Sequence, residues 1–224
     1  MAEHTELLPD PLPGDPLSIV SQWLETAWKQ RLQPNPNAMV LSTVRDGRPS
    51  ARVVLCKDVV PDPGYVVFYT NYLSRKGREL AGNPRAAAVI HWDHLHRQIR
   101  LEGHAVTAPA TDSDTYFASR AIQSRIGAWA SAQSEPIATR SQLLDAVAAA
   151  AKRLGVTDPE NPESDASVPR PPHWGGYRLW VDTVELWVEG AARIHDRARW
   201  TRTLTVLAEG RFETGPWTAT RLQP

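Results

Sequence analysis

Residues 38–60 read AMVLSTVRDGRPSARVVLCKDVV, and this stretch decides the fold. Apolar side chains alternate with small or polar ones on either side of a turn at RDGRP (45–49), the pattern of a β-hairpin with a short loop. Toward the C-terminus, GYVVFYTN (64–71) reads as a third strand, and RAAAVIHW (85–92) with RQIRLEGHAV (97–106) as a further antiparallel pair. GGYRLWV (175–181), TVELWVEG (183–190) and ARIHDRARW (192–200) read as three closing strands, with a short last one near WTATRL (217–222).

Helices are inserted between these strands rather than alternating with them. Asp15 and Pro16 suit an N-cap and first helical position, and Ile19, Val20, Trp23, Leu24, Ala27 and Trp28 recur at helical spacing to about Leu32. SRKGRELAGN (74–83) reads as a short helix that Ser74 caps and Gly82-Asn83-Pro84 stops. A third helix is expected from Thr111 to Arg120, and SQLLDAVAAAAKRLG (141–155) is the clearest of all, with Ser141 as cap and Gly155 as stop. Roughly seven or eight strands at hairpin spacing predict a mainly β (α+β) fold, an antiparallel barrel with peripheral helices. Residues 1–15, rich in proline and acid, read as a flexible arm. The remainder, 16–224, reads as a single domain, with DPENPESDASVPRPP (158–172) as a polar connection inside it.

Composition narrows the function classes. Lysine plus arginine balances aspartate plus glutamate at 25 each, so any anion site is local and a nucleic-acid partner is not expected. Cys56, the only cysteine, cannot form an intrachain disulfide, and inside VVLCK it reads as a small buried apolar residue. No apolar run nears the ~20 residues that span a bilayer, and MAEHTELLPDPLPGDP lacks the order of a signal peptide, so a cytoplasmic location is expected. The nine tryptophans mostly serve core and interface packing, with one or two available to line a planar ligand.

Three clusters carry candidate chemistry. Arg193, His195 and Arg197 share one parity, so a regular strand would project them from one face; a solvated edge beside Asp196 fits the same pattern. Ser74, Arg75 and Lys76 open a helix, which makes either a phosphate cradle or an ordinary capped helix with exposed charges. SRAIQSRIGAWASAQS (119–134) gathers Ser119, Arg120, Ser124, Arg125, Gln133 and Ser134, a mixture of arginine and hydroxyl groups that suits a phosphate monoester. His91, His94 and His96 in HWDHLH lack a completing cysteine or carboxylate, so no metal is expected there. Nucleophile-elbow, dinucleotide and Walker motifs are missing from the sequence.

The same segments resemble the pyridoxamine 5′-phosphate oxidase family from about residue 15 onward. The blocks that carry the resemblance are RVVLCK (52–57), FYTNYLSRKGRELAGNPRAA (68–87), RQIRLEG (97–103), YFASRAIQSRIGAWASAQS (116–134), PRPPHWGGYR (169–178), VELW (184–187), RIHDR (193–197) and the terminal RLQP. The resemblance implies a split-barrel fold with flavin mononucleotide (FMN) bound at a homodimer interface. It implies that Arg52 and Lys76 hold the flavin phosphate, with Arg75 and Ser134 in support. Val53, Val54 and Leu55 would bring backbone and apolar surface to the flavin, and Lys57, Tyr69, Thr70, Gln98, Gln133, Trp187 and Arg197 would complete the cofactor set. Lys57, Tyr116, Arg120 and Ser124 match the ligands of the substrate phosphate. Arg193 and His195 match the pair that covers the pyridine ring; either is expected to assist proton removal. The implied reaction oxidises pyridoxine or pyridoxamine 5′-phosphate to pyridoxal 5′-phosphate, with O2 as acceptor and H2O2 as product.

Two departures touch the substrate side. The family carries an Arg-x-x-Tyr segment ahead of the first helix, and the arm here has no arginine. Between Trp187 and Arg193 the family tends to Gln-Gly-Arg-x-Asn, where this chain has Val188-Glu189-Gly190-Ala191-Ala192. They leave open a flavin-dependent paralogue acting on another small aromatic, such as a phenazine precursor, and a non-catalytic flavin or pyridoxal phosphate carrier.

Overall fold

The structure, a computed structural model, describes residues 6–158, 168–207 and 210–224. The hairpin at 38–60 is formed by β1 (Ala38–Arg45) and β2 (Arg48–Leu55), antiparallel, with Asp46 and Gly47 at positive φ in the turn. The next strands are β3 (Asp58–Val60), β4 (Tyr65–Asn71), β5 (Arg85–Trp92) and β6 (Arg97–Thr107). The C-terminal part adds β7 (Trp174–Val188), β8 (Asp196–Thr201), β9 (Leu204–Val206), β10 (Phe212–Thr214) and β11 (Thr218–Leu222). The main sheet runs β11-β8-β7-β6-β5-β1-β2, with β4 pairing both β3 and β7, while β9 and β10 form a separate ribbon. The pairings β1–β2, β1–β5, β5–β6, β7–β8 and β8–β11 are all antiparallel. Burial follows that order: β2, at one end, is mostly exposed or half-buried, whereas central β7 is buried at most positions on both faces.

Among the described residues five α-helices accompany the sheet: α1 (Pro16–Gln30), α2 (Arg75–Gly82), α3 (Ala110–Ala118), α4 (Ile122–Ala130) and α5 (Arg140–Arg153). Asp15 caps α1 as expected, its carboxylate accepting from the Leu17 and Ser18 N–H groups. For α5 the cap is Thr139 rather than Ser141, its hydroxyl accepting from Gln142 N–H. Among the described residues no helix is long and apolar enough to cross a membrane.

The chain divides into two compact units. One comprises Met1–Phe68, Asn83–Val106 and Arg178–Pro224, and the other Tyr69–Gly82 and Thr107–Tyr177. The first buries Met39, Leu41, Phe68, Ile90, Trp92, Ile99, Leu101, Leu179 and Trp200. The second has its own core of Phe117, Ile122, Ile126, Ala150, Ala151, Val156, Val168 and Trp174.

Three expectations need correction. The runs 175–181 and 183–190 are one strand, because Asp182 does not break the ladder: it is half-buried, pairs with Arg85, and its carbonyl accepts from Arg202 N–H. The run 192–200 is not a strand throughout, since β8 starts only at Asp196. Residues 122–130, not read as a helix, form α4, whose Ile122, Ile126 and Trp129 follow helical spacing. In the arm, residues 6–13 are fastened to the first unit. Leu8 is buried and its N–H donates to Asp196 Oδ2 (2.8 Å), Arg221 donates to Pro9 O (3.0 Å), and Trp200 Nε1 donates to Pro13 O (2.8 Å). Residues 1–5 of the arm and 159–167 of the expected connection lie outside the described residues.

Candidate functional site

In the second unit the start of α2 gathers polar groups around an ammonium. Ser74 is fully buried; its hydroxyl donates to Asn71 O (2.6 Å) and accepts from Gly77 N–H (3.3 Å), which orders the first turn. A Cβ at Gly77 would sit 2.1 Å from Tyr72 O, so only glycine lets the helix start this close to that backbone. Lys76, buried in consequence, points Nζ at Thr70 Oγ1 (3.1 Å), Ser74 Oγ (3.3 Å) and Gln133 Oε1 (3.1 Å). The Thr70 hydroxyl also donates to Gln133 Oε1 (3.3 Å). Gln133, some sixty residues along the chain, is thereby brought to Thr70 and Lys76. Arg75 projects outward and pairs with buried Glu79 (2.8 Å), and Ser134 is exposed in the left-handed region (φ 75°).

The same unit holds an aromatic platform. Tyr69 and Tyr116 stack with ring centroids 3.9 Å apart, and Trp174 lies nearly parallel to both, at 5.6 and 6.1 Å. Arg120 lies over the Trp174 ring at 4.5 Å. Its Nη1 is buried without a hydrogen-bond partner among the described residues. Burial pushes the Arg120 guanidinium below its usual pKa, with Tyr116 pulling it partly back. Ser124 is exposed on α4.

In the first unit β2 carries Arg52, Val53, Val54 and Leu55. Arg52 stands opposite Leu41 on β1; its Nη1 donates to Thr43 Oγ1 (2.6 Å) and Leu41 O (3.2 Å), and its Nη2 donates to Ser50 Oγ. Val53 is 63% exposed beside its register partner Val40, also exposed, so this end of the sheet offers an apolar face. Val54 and Leu55 are half-buried. Lys57, just past the strand, is exposed, with its N–H donating to Val67 O (2.7 Å). Gln98 on β6 is half-buried, opposite His91. Cys56 is buried and its thiol is pushed up to about 12 by burial, as befits a packing residue rather than a nucleophile.

The third cluster departs from the strand expectation. Arg193 ends a short 3-10 turn (Ala191–Arg193) in which Ala192 and Arg193 both have positive φ, 54° and 65°. Such backbone costs about 1–2 kcal/mol per non-glycine residue. Gly190 allows it, since a Cβ there would lie 1.7 Å from Ile194 O. The turn cancels the shared parity of Arg193, His195 and Arg197. Arg193 is exposed, and His195 instead accepts at Nδ1 from Gly190 N–H (3.2 Å), its ring 4.7 Å from that of Trp187. Arg197 sits opposite Trp187 in the β7–β8 register. It donates from Nη2 (2.8 Å) and Nε (3.2 Å) to Glu185 Oε1, and from Nη1 to Gln223 O (2.9 Å). Buried Glu185 also accepts from Arg100 at Oε2 (3.0 Å).

Sequence reasoning missed Glu185 and Trp174. A carboxylate inside the apolar run VELW was a signal that something cationic must meet it. Trp174 had none beyond its place in HWGGYR, because its ring partners Tyr69 and Tyr116 come from distant segments.

Sheet order, helices and clusters together place the chain in the split-barrel class. A family model described as pyridoxamine 5′-phosphate oxidase matches residues 24–153, and one described as the pyridoxine 5′-phosphate oxidase C-terminal dimerisation region matches residues 174–224. The chain belongs to the pyridoxamine 5′-phosphate oxidase family. A pyridoxine/pyridoxamine 5′-phosphate oxidase of Methylibium petroleiphilum is 49% identical over 212 residues, covering 94% of this chain and 89% of that protein. One of Paracoccus denitrificans is 49% identical over 193 residues, 84% of this chain and 82% of that one. Among solved structures, PhzG from Burkholderia lata, in complex with tetrahydrophenazine-1-carboxylic acid, has a TM-score of 0.80 at 31% identity and 98% coverage of both chains. A pyridoxamine 5′-phosphate oxidase-related, FMN-binding protein of Nostoc punctiforme shares the fold, with a TM-score of 0.66 at 14% identity over 92% of this chain and 96% of that one.

Proposed function

We propose that this protein is an FMN-dependent oxidase, working as a homodimer, that converts pyridoxine and pyridoxamine 5′-phosphates to pyridoxal 5′-phosphate. The observation that carries the reading is Arg120, whose buried Nη1 has no hydrogen-bond partner among the described residues. A buried guanidinium edge without an acceptor is costly unless a ligand supplies one, and a phosphate dianion does so with charge-assisted bonds. Tyr116, Ser124 and Lys57 are the further donors assigned to that phosphate.

The donor set also fits FMN. Its phosphate needs cations and hydroxyls, as Lys76 with Thr70 and Arg52 with Thr43 and Ser50 provide. Its flat ring needs exposed apolar surface, as Val53 provides. Arg75, Ser134, Tyr69, Gln98, Gln133, Trp187, Arg197, Val54 and Leu55 complete the assignment. Bound FMN supplies hydride acceptance from C4′ and reoxidation by O2, which leaves as H2O2.

The protein's own residues bind and orient. Because His195 Nδ1 accepts the Gly190 N–H, the neutral ring carries its proton on Nε2 and presents a donor outward. Arg193 is a guanidinium with donors only. Both therefore hold the substrate ring instead of taking its proton. Oxidation of the alcohol substrate would release its hydroxyl proton; with the amine substrate, water would also be consumed and ammonia released. Fixing the phosphate at one end lets geometry replace most acid–base assistance.

A second reading, a paralogue acting on a non-phosphorylated aromatic, draws on the likeness to PhzG and on the departures at 188–192. Anaerobic addition of pyridoxine 5′-phosphate to the flavin-loaded protein separates the two. Bleaching of the flavin bands with formation of pyridoxal 5′-phosphate is expected. Bands that bleach only with a carboxylated tricyclic substrate would favour the paralogue. Bands that persist with both would leave a carrier, and a protein that takes up no FMN would overturn the proposal.

A further inference from the structure

Trp174 has no place in the ligand assignments above, yet Arg120, the residue that carries them, rests on it. The indole is buried and presents its face to the Arg120 guanidinium at 4.5 Å, with the Phe117 ring a more distant second at 5.5 Å. No carboxylate holds Arg120 among the described hydrogen bonds and ion pairs, so ring faces do the holding. A guanidinium spread over an aromatic face keeps its N–H edges free, whereas one clamped by a carboxylate spends them.

The indole is itself held from several sides. Arg170 donates from Nη1 to Trp174 O (2.7 Å) and from Nε to Asp114 Oδ1 (2.6 Å), tying the strand start to α3, which carries Tyr116. Trp174 N–H donates to Pro171 O (3.1 Å). The two glycines that follow admit the tyrosines. A Cβ at Gly175 would lie 2.1 Å from the Tyr72 hydroxyl oxygen, and one at Gly176 would lie 2.9 Å from a Tyr69 ring carbon. The segment HWGGY thus sets the indole plane nearly parallel to Tyr69 and Tyr116, 11° and 6° away.

We infer that Trp174 is a positioning residue for phosphate recognition: its indole face carries Arg120 so that the unpartnered Nη1 edge is aimed at an anion, and it thereby sets the preference for phosphorylated over unphosphorylated substrate. This rests on the reading of Arg120 as a phosphate ligand. The three residues form one device. Arg120 supplies the charge, Trp174 its orientation, and Arg170 the orientation of Trp174.

The test uses the flavin-loaded full chain, with inorganic phosphate as a competing anion and pyridoxine with its 5′-phosphate as substrates. Trp174→Leu is expected to raise the KM for pyridoxine 5′-phosphate and the inhibition constant of phosphate together, by roughly 3- to 30-fold, the range a cation–π contact supplies. The kcat, and kcat/KM for unphosphorylated pyridoxine, should stay within about 3-fold, since that substrate makes no use of Arg120. Trp174→Phe, which keeps a weaker aromatic face, should recover most of the loss. Unchanged phosphate inhibition in Trp174→Leu, or an equal loss with both substrates, overturns the inference. If Trp174→Leu fails to load flavin, Trp174→Met, which fills the space without an aromatic face, carries the test, and a phosphate inhibition constant equal to wild type overturns it. Arg120→Ala is run beside them. If that variant keeps wild-type phosphate inhibition, the reading of Arg120 fails, and Trp174 with it for that separate reason.

Discussion

Arg197 and Arg120 are both assigned to ligands, yet they are held in opposite ways. Arg197 is clamped by the protein at all three nitrogens: Glu185 takes Nε and Nη2, Gln223 takes Nη1, and Glu185 is shared with Arg100. Arg120 lies on aromatic faces with Nη1 bonded to nothing among the described residues. A guanidinium tied by a buried carboxylate is fixed in place with part of its donor capacity already spent, which suits contact with a cofactor that stays bound. One resting on an indole is oriented but unspent, which suits a phosphate that comes and goes. The difference is one of partners, since the two residue types are identical.

The comparison breaks most visibly at Arg120. Arg120→Ala should lower kcat/KM for pyridoxine 5′-phosphate by about 30- to 1,000-fold, the cost of removing one member of a desolvated charged pair, with flavin content unchanged. Steady-state kinetics beside the flavin absorbance of the purified variant reads both, and a parallel loss of flavin would merge the two arginines into one role. Glu185→Gln should act the other way. It weakens charge-assisted bonds to Arg197 and Arg100, so flavin affinity should fall by roughly 10- to 100-fold while kcat at saturating FMN is kept. Fluorescence titration of the apoprotein with FMN measures this, and unchanged affinity would make the Glu185 clamp irrelevant to the cofactor. Deleting Gln223 and Pro224 removes one carbonyl from Arg197 and should cost about 2- to 10-fold in the same titration.

The smallest effect concerns the end of β2, between assigned contacts Leu55 and Lys57. Cys56 there has its thiol raised from 9.0 to about 12 by burial. A disulfide reagent at pH 8 should therefore leave it unlabelled until the protein is denatured. The sign for stability follows: between those two values the unfolded thiol ionises and the folded one does not, so this group's contribution is complete below 9.0 and is lost as pH rises. Rapid native labelling would mean that this strand end opens.

Much of this was readable from local pattern. Alternation across 38–60 located the first hairpin, and the Asp15-Pro16 pair located the start of α1, because strand pairing and capping use residues a few positions apart. What failed had non-local causes. Arg193, His195 and Arg197 have strand parity in the sequence, but parity holds only on a strand, and the turn at Ala191–Arg193 ends that condition. The segment 122–130 has helical spacing that its arginine and serine residues obscured.

The sequence by itself determined which chemical groups the protein owns, in what order, and the alternation that makes its sheet antiparallel, since periodicity and residue type are properties of the chain. It also carried the family, through blocks of adjacent residues such as RVVLCK and YFASRAIQSRIGAWASAQS. Only the tertiary structure decided which guanidinium is clamped and which is left open. Glu185 meets Arg197 across two paired strands, and Trp174 meets Arg120 from some fifty residues along the chain. The donor capacity of an arginine is set by the groups packed against it, and packing brings together what spacing does not record.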